Sequence, residues 1–337
     1  MSARASIVPV FVPHWGCPHS CVFCDQRQIT GEREPATAHT VEHAIQQAAA
    51  LPRGAKRQLA FYGGSFTAIP VQRQEELLTA AQPYRRSGEI DSIRLSTRPD
   101  AIDAAVLARL RRYGVETIEL GAQSMDDRVL ALAGRGHTAA AVEHAARLVK
   151  ESGFELVLQM MTGLPGSTDE SDIETARRLI ALRLDGVRIY PTVIVADTAL
   201  CELWRAGRYR EHTVEDAVRV CARILPLFEE AGIPVIRLGL NPTDELSGGA
   251  VVGGAYHPAL GELVRSRIFR SRAEALLADA EPGSRVILGV NARELSQMIG
   301  QNRSNLDWLR ERFSLTSLSV RPADVKSGEI RRIFLEK

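Results

Sequence analysis

Cys17, Cys21 and Cys24 lie in the run GCPHSCVFCDQ, a C-x₃-C-x₂-C spacing that gathers three thiols in one short loop. A closed zinc site takes four ligands, and an iron–sulfur cubane that only carries electrons takes four thiolates. Three thiolates on a cubane leave one iron open, and an open iron can hold a substrate or cofactor directly. The spacing therefore points to chemistry at a cluster and not to a structural staple. His14 and His19 flank the trio; loop hydrogen bonds or a contact behind the cluster suit them better than ligation. Cys201 and Cys221 fall in helical patterns and read as buried small hydrophobes.

Such a trio must be positioned by elements around it. Short β-rich runs (SIVPVFVP, QLAFYGG, SIRLSTRP, TIELGAQS, FELVLQMM and GVRIYP) alternate with helical stretches. Among the latter are TVEHAIQQAAAL, VQRQEELLTAAQPY, AIDAAVLARLRRYG, TAAAVEHAARLVKESG and DIETARRLIALR, whose apolar residues recur at three- and four-residue steps. A β-then-α succession requires parallel strands with right-handed crossovers. Six units fall short of a closed eight-fold barrel. Periodicity alone fits either an open, partial barrel or a doubly wound sheet. The barrel is favoured by where polar and glycine residues collect. The cysteines follow the first run, Gly63, Gly64 and Ser65 the second, Ser96, Thr97 and Arg98 the third. Gly121 to Ser124 end the fourth, Gln159 to Met161 the fifth, Tyr190 and Pro191 the sixth. Carboxyl strand ends are where parallel barrels build active sites, although turn chemistry explains any one position alone.

The chain has 337 residues, 45% of them hydrophobic, enough for a large core plus an appendage. Its formal charge of +1 implies no bulk pull toward nucleic acid or membrane. MSARASIVPVFVP lacks the apolar core of a signal peptide, and no run is long enough to span a bilayer. Five cysteines, three of them clustered, are not a secreted disulfide framework, so a reducing cytoplasm is the expected setting.

CPHSCVFC, FYGGSFT, GAQS, GRGHT and MTGLPGST together resemble the radical S-adenosylmethionine (SAM) superfamily. The later motifs place the chain near oxygen-independent coproporphyrinogen III oxidase. More closely it is similar to the Elongator catalytic subunit, whose branch VRIYPTVIVADTALCELWRAGRYREHTVEDAV also resembles. The resemblance implies an α/β fold, a partial (β/α)6 TIM-like barrel, in three parts: a core over 1–192, an extension over 193–282 that caps the barrel, and a module over 283–337. The short strand IPVIRLGL falls in that extension.

It also implies cofactors and roles. Cys17, Cys21 and Cys24 would hold a [4Fe–4S] cluster whose fourth iron is chelated by SAM. Reductive cleavage of SAM would give a 5′-deoxyadenosyl radical that abstracts hydrogen from substrate. Phe23 takes the aromatic position near the adenine, or serves as a core anchor. Gly63 and Gly64 match the glycine pair whose backbone approaches the SAM amino group, with Ser65 where relatives often carry Glu or Thr. Gln123 and Arg135 match a pair that reaches the ribose and the methionine carboxylate, the latter suited to an arginine fork. Ser96 and Gln159 also fall at cofactor positions, where the coproporphyrinogen oxidases carry acidic residues, which counts against that activity. Tyr62 and Tyr190 either line the substrate face or pack. The others are cofactor positions, and the catalytic residues are unknown from sequence.

In the tail, SRVILGVN, ARELSQMIG, NLDWLRERF and SLTSLSVRP read as strand, helix, helix and strand. This resembles half of a KH-type RNA-binding fold, a small α+β module, with Gly300, Gln301, Asn302 and Arg303 in place of the GXXG loop. A plain capping unit is the alternative. The basic run RSRIFRSR is either a phosphate contact or a solvated helical face. The expected function is a radical SAM enzyme acting on RNA, with a transfer RNA wobble uridine as the expected target, fed by a flavodoxin- or reductase-type electron donor. The Elongator subunit's acetyltransferase domain has no counterpart in this sequence, so the substrate stays open. Two other readings are a haem-pathway protein and a non-catalytic RNA-binding iron–sulfur protein.

Overall fold

The computed structural model describes residues 6–13, 15–26, 30–31, 34–50, 56–240 and 246–333; His14 lies outside the described residues. The chain forms two compact units. One comprises Met1–Thr213 and Leu227–Tyr256, the other Val214–Pro226 and His257–Lys337. The division runs through the helix Val214–Glu230 at its internal Pro226.

The first unit is the expected β/α succession. Strands β1 (Ser6–Phe11), β2 (Arg57–Tyr62), β3 (Ser92–Thr97), β4 (Val115–Gln123), β5 (Glu155–Thr162) and β6 (Gly186–Pro191) are parallel neighbours in chain order. After β6 the chain forms a short β7 (Val193–Val195), which pairs antiparallel with β9 (Val251–Gly254). Between them β8 (Val235–Leu238) adds parallel to β6 as a seventh strand. IPVIRLGL is thus part of the barrel sheet, because the edge of β6 offers unpaired N–H and C=O groups that a further strand satisfies. The order β1-β2-β3-β4-β5-β6-β8 leaves the sheet open, as a partial barrel.

The intervening helices begin where the sequence supplies caps. Thr37, Asp103, Asp126, Thr138, Thr168 and Thr198 each accept a backbone N–H of the first turn. VQRQEELLTAAQPY is two helices, Val71–Ala80 and Gln82–Arg86, since Pro83 favours a fresh first turn. Strand residues alternate between two faces. Leu59, Phe61, Ile93, Leu95, Ile118, Leu120, Leu158, Val187 and Ile189 are fully buried on the face that packs the core. Gln58, Tyr62, Arg94, Glu119, Gln159 and Arg188 alternate with them and bond to one another across the opposite face. Closed barrels fill that inner face with branched apolar side chains; this one fills it with polar groups.

In the second unit β10 (Arg285–Val290) pairs parallel with β11 (Ser317–Pro322) and antiparallel with β12 (Ile330–Ile333). The helices Leu295–Ile299 and Ser304–Arg312 connect β10 to β11, and the helix Leu260–Leu276, which carries RSRIFRSR, precedes them. Phe269, Ala273, Leu277, Leu288, Val290, Met298, Leu306 and Leu309 form its core. Between the two connecting helices Gly300, Asn302 and Arg303 all have positive φ. Buried Asn305 ties the turn down by donating to the carbonyls of Ser266, Gln297 and Met298. Strand β12, from a charged run, is an element the sequence reading did not anticipate. Among the described residues no helix is long and apolar enough to cross a membrane.

Candidate active site at the carboxyl ends of the strands

The cysteine loop is clamped from two sides. Ser65 donates its backbone N–H to Trp15 O at 2.8 Å, and Val22 donates to Ala133 O at 3.1 Å. Both clamps need glycine for room. A Cβ on Gly64 would stand 2.3 Å from Val12 O, and one on Gly136 would stand 2.2 Å from the His19 imidazole. FYGGSF and GRGHT are therefore the two walls against which the cysteine loop is laid. His19 is exposed and packs against Gly136, so it braces the loop.

Each sulfur has a polar neighbour. Cys17 Sγ lies 3.5 Å from Ser65 Oγ, Gln26 Nε2 donates to Cys24 Sγ at 3.3 Å, and Arg135 donates to Cys21 Sγ at 3.2 Å. Burial, reinforced by the neighbouring Cys21, pushes the Cys24 thiol up to about 12. A metal ligand must be a thiolate, so the positive charge that removes its proton has to come from what is bound. No three His, Cys, Asp or Glu side chains among the described residues converge on a single metal ion. A cluster asks for sulfurs set further apart, with its irons between them.

Beside the trio stands the Gln–Arg pair. The β4–β5 register shifts between Gly121 and Gln123, and Gln123 takes φ 65°, an uncommon conformation for a non-glycine residue. Bulges re-aim side chains next to active sites, and this one aims Gln123. Arg135, only 7% exposed, donates to Gly121 O at 2.7 Å as well as to Cys21. Yet Gln123 Oε1 and Arg135 Nε are buried without a partner. Buried orphan polar atoms are costly, and here an acceptor and a donor lie together beside a half-satisfied sulfur trio. They fit a ligand with both a hydroxyl or amine and a carboxylate.

Arg98 holds this corner. It pairs with Asp100 through two bonds of 2.9 and 3.0 Å and donates to Arg135 O at 2.5 Å. Next to it His137 is buried, its Nε2 3.3 Å from Ala122 O and its Nδ1 unpartnered. Burial, with the Arg135 and Arg98 charges, brings His137 down to about 4, so it is neutral near pH 7.

The loop after β5 is built around Gly163, whose N–H donates to Asp172 at 2.9 Å while its carbonyl accepts from Tyr209 at 2.7 Å. Burial pushes Asp172 up to about 7. Phe23 packs against a cluster of Val129, Ala133, Met161 and Leu164, and against a second of Ile194, Leu200, Cys201 and Tyr209. It anchors the loop whatever else it touches. Cys201 and Cys221 are fully buried, as their helical patterns imply.

Below these loops lies the polar network. Glu119, with no exposed surface, accepts from Arg94 at 2.9 Å, from Arg188 at 2.8 and 3.0 Å, from Tyr62 at 3.0 Å and from Gln159 at 3.0 Å. Gln159 also reaches Ser96 Oγ at 3.4 Å. Burial alone would raise the Glu119 carboxyl; Arg188 and Arg94 instead hold it below the ordinary carboxylate range. Ser96 and Gln159 therefore belong at least as much to this network as to the cofactor corner. Arg94, Glu119 and Arg188 of this network carry no role in the sequence analysis, and their signal is the polar alternation in SIRLST, TIELG and GVRIY; Arg98 and His137, at the cofactor corner, lie outside those runs.

Residues 12–179 match the family model of the radical SAM superfamily, and residues 184–270 match that of its C-terminal domain. The chain belongs to the radical SAM superfamily. It is 30% identical over 273 residues to Elongator complex protein 3 of Homo sapiens, covering 67% of this chain and 50% of that one. To the Saccharomyces cerevisiae protein of the same name it is 31% identical over 192 residues, 51% of this chain and 34% of that one. The chain spans about half the length, or less, of these curated relatives. The solved structure of archaeal Methanocaldococcus infernus Elp3 superposes with a TM-score of 0.64 at 22% identity, covering 79% of this chain and 63% of that one. Coproporphyrinogen III oxidase (HemN) of Escherichia coli gives 0.50 at 19% identity, covering 68% and 53%. At these identities the two structures speak to the fold, the partial barrel. Radical SAM enzymes use a [4Fe–4S] cluster and SAM, and the sulfur trio with its orphaned amide and guanidinium atoms fits both.

Proposed function

We propose that this radical SAM enzyme modifies RNA, with transfer RNA as the substrate class, in the cytoplasm and with a flavodoxin- or reductase-type electron donor. The observation that carries the enzymatic reading is the pair of buried, unpartnered atoms, Gln123 Oε1 and Arg135 Nε, beside a cysteine already bonded by Arg135. A cluster kept only for structure needs no such corner. The RNA part is supported by the likeness to Elongator complex protein 3 and by the helix–turn–helix of the second unit between two parallel strands.

Cys17, Cys21 and Cys24 hold the cluster in this reading. When bound, the cluster would pass one electron from the donor to the SAM sulfonium, and the pair would supply hydrogen abstraction from substrate. The protein binds and orients. Arg135 presents donors to the methionine carboxylate, and Gln123 an acceptor to the ribose hydroxyls. The backbone of Gly63 and Gly64 meets the amino group, and Phe23 sits against the adenine. Ser96 and Gln159 close the corner from the network side. Arg98 is a positioning residue, since it grips the Arg135 backbone and Asp100. The division into barrel core, capping extension and KH-like module belongs to this proposal too.

The test is anaerobic turnover with SAM, reductant and bulk transfer RNA. The expected outcome is RNA-stimulated 5′-deoxyadenosine together with a new modified nucleoside after digestion. Deoxyadenosine formation indifferent to RNA but raised by a porphyrinogen would overturn the substrate class.

A further inference from the structure

The inner face of the barrel carries more positive charge than its folding uses. Arg94 and Arg188 are both bonded to Glu119, and among the described residues it is the only carboxylate bonded to either. On the neighbouring strand Arg237 is the register partner of Arg188, just past a register shift between Val187 and Arg188; the next pair, Ile189 with Leu238, lies on the core side, so Arg237 shares the face of Arg188. Arg237 is half-buried and has no hydrogen-bonded or carboxylate partner among the described residues. Glu155, the other inner-face acid, is bonded to Thr117 and stands at the amino end of β5, away from this group.

Among the described residues, three arginines against one carboxylate leave two positive charges in surroundings where water is scarce. A solvated surface arginine needs no partner; a half-buried one on the inner face of a barrel wants an anion. Tyrosines alternate with the arginines: Arg188 lies over the Tyr62 ring at 5.5 Å, and Tyr190 is two residues along the same strand. Tyr190 and Phe23 of the cysteine loop pack against the same cluster of Val129, Ala133, Met161 and Leu164, so the strand that carries Arg188 ends beside the proposed cofactor corner. Arginine forks match phosphate oxygens, and aromatic rings beside them accept bases.

We propose that Arg188 and Arg237 form an anion subsite on the inner face of the barrel that holds a phosphate of a single-stranded polynucleotide substrate. The assignment rests on the RNA reading above and adds to it the residues that seat the reacting nucleotide. Arg237 is the member to alter, because among the described residues it supports no ion pair and its loss leaves Glu119 with both of its arginines.

The experiment measures binding of a fluorescein-labelled oligouridylate and of bulk transfer RNA to the reconstituted protein, anaerobically, from 50 to 200 mM salt. Arg237→Gln is expected to weaken binding about five-fold and to make the logarithmic salt slope shallower by about 0.7, the share of one single-strand phosphate contact. Arg237→Lys should recover part of both, and the SAM dissociation constant should not move. An unchanged slope and affinity in Arg237→Gln would overturn the subsite while leaving the RNA reading intact. Absence of any RNA binding by the unaltered protein would overturn both. Arg237-dependent binding of coproporphyrin in place of RNA would assign the pair to carboxylates and end the phosphate proposal.

Discussion

Arg135→Ala is expected to raise the SAM dissociation constant by about 10- to 100-fold while leaving the iron content per chain unchanged. The magnitude follows from a hydrogen bond to a charged group, about 1.5–3 kcal/mol, lost from a site that water does not readily fill. Arg135 is placed for this by three contacts: donation to Gly121 O at 2.7 Å, donation to Cys21 Sγ at 3.2 Å, and the grip of Arg98 on its carbonyl. The iron prediction is the sharper half. Three cysteines remain in the variant, and the loop that carries them is still held by Ser65, Ala133 and the glycine walls. Arg135→Lys should sit between the two, because a lysine keeps the charge and loses the fork. Equilibrium binding and iron analysis on the same samples check it. Iron lost in proportion to SAM affinity would make Arg135 a brace for the cysteines and not a cofactor contact.

Glu119→Ala is expected to cost the fold about 3–5 kcal/mol, because it strands Arg94 and Arg188 without their anion. Against a typical total of about 5–15 kcal/mol, that is enough to lower the urea midpoint sharply or to leave the chain insoluble. The triple change Arg94→Met, Glu119→Leu, Arg188→Met removes the charges together and is expected to regain much of that loss, since apolar replacements fill a buried triad without desolvation cost. The pH dependence has a definite sign. The folded carboxyl lies below its unfolded value of about 4.3, so its contribution is present above that pH and is lost as pH falls through the folded value. A Glu119→Ala chain as stable as the parent would mean that the arginines find water, and the network is then not buried in solution.

The cysteine trio stands out in the sequence because few uses of cysteine share the C-x₃-C-x₂-C spacing. The barrel was legible because helical and strand periods alternate cleanly from Ile7 to Pro191. Other features needed coordinates. Gln123 depends on a register shift after Gly121 that no sequence pattern announces. The strand of Arg237 is only four residues long, with no crossover helix after it, so it read as part of a cap until its pairing with β6 appeared. Glu119 was hidden for another reason. Attention to the carboxyl ends of strands passes over their middles, where one glutamate gathers five donors from four other strands. The glycines of GRGHT were noticed as a motif, but their cause, the approach of His19 and Ser20, is a distance between loops far apart in sequence.

The central claim is an iron left free by a trio of sulfurs and filled by SAM. Anaerobic reconstitution with iron and sulfide, reduction, and electron paramagnetic resonance with and without SAM test it most directly. The account predicts a reduced [4Fe–4S] signal that changes shape when SAM is added and is followed by 5′-deoxyadenosine. A zinc-loaded protein, or a cluster whose signal ignores SAM and yields no deoxyadenosine, would contradict it.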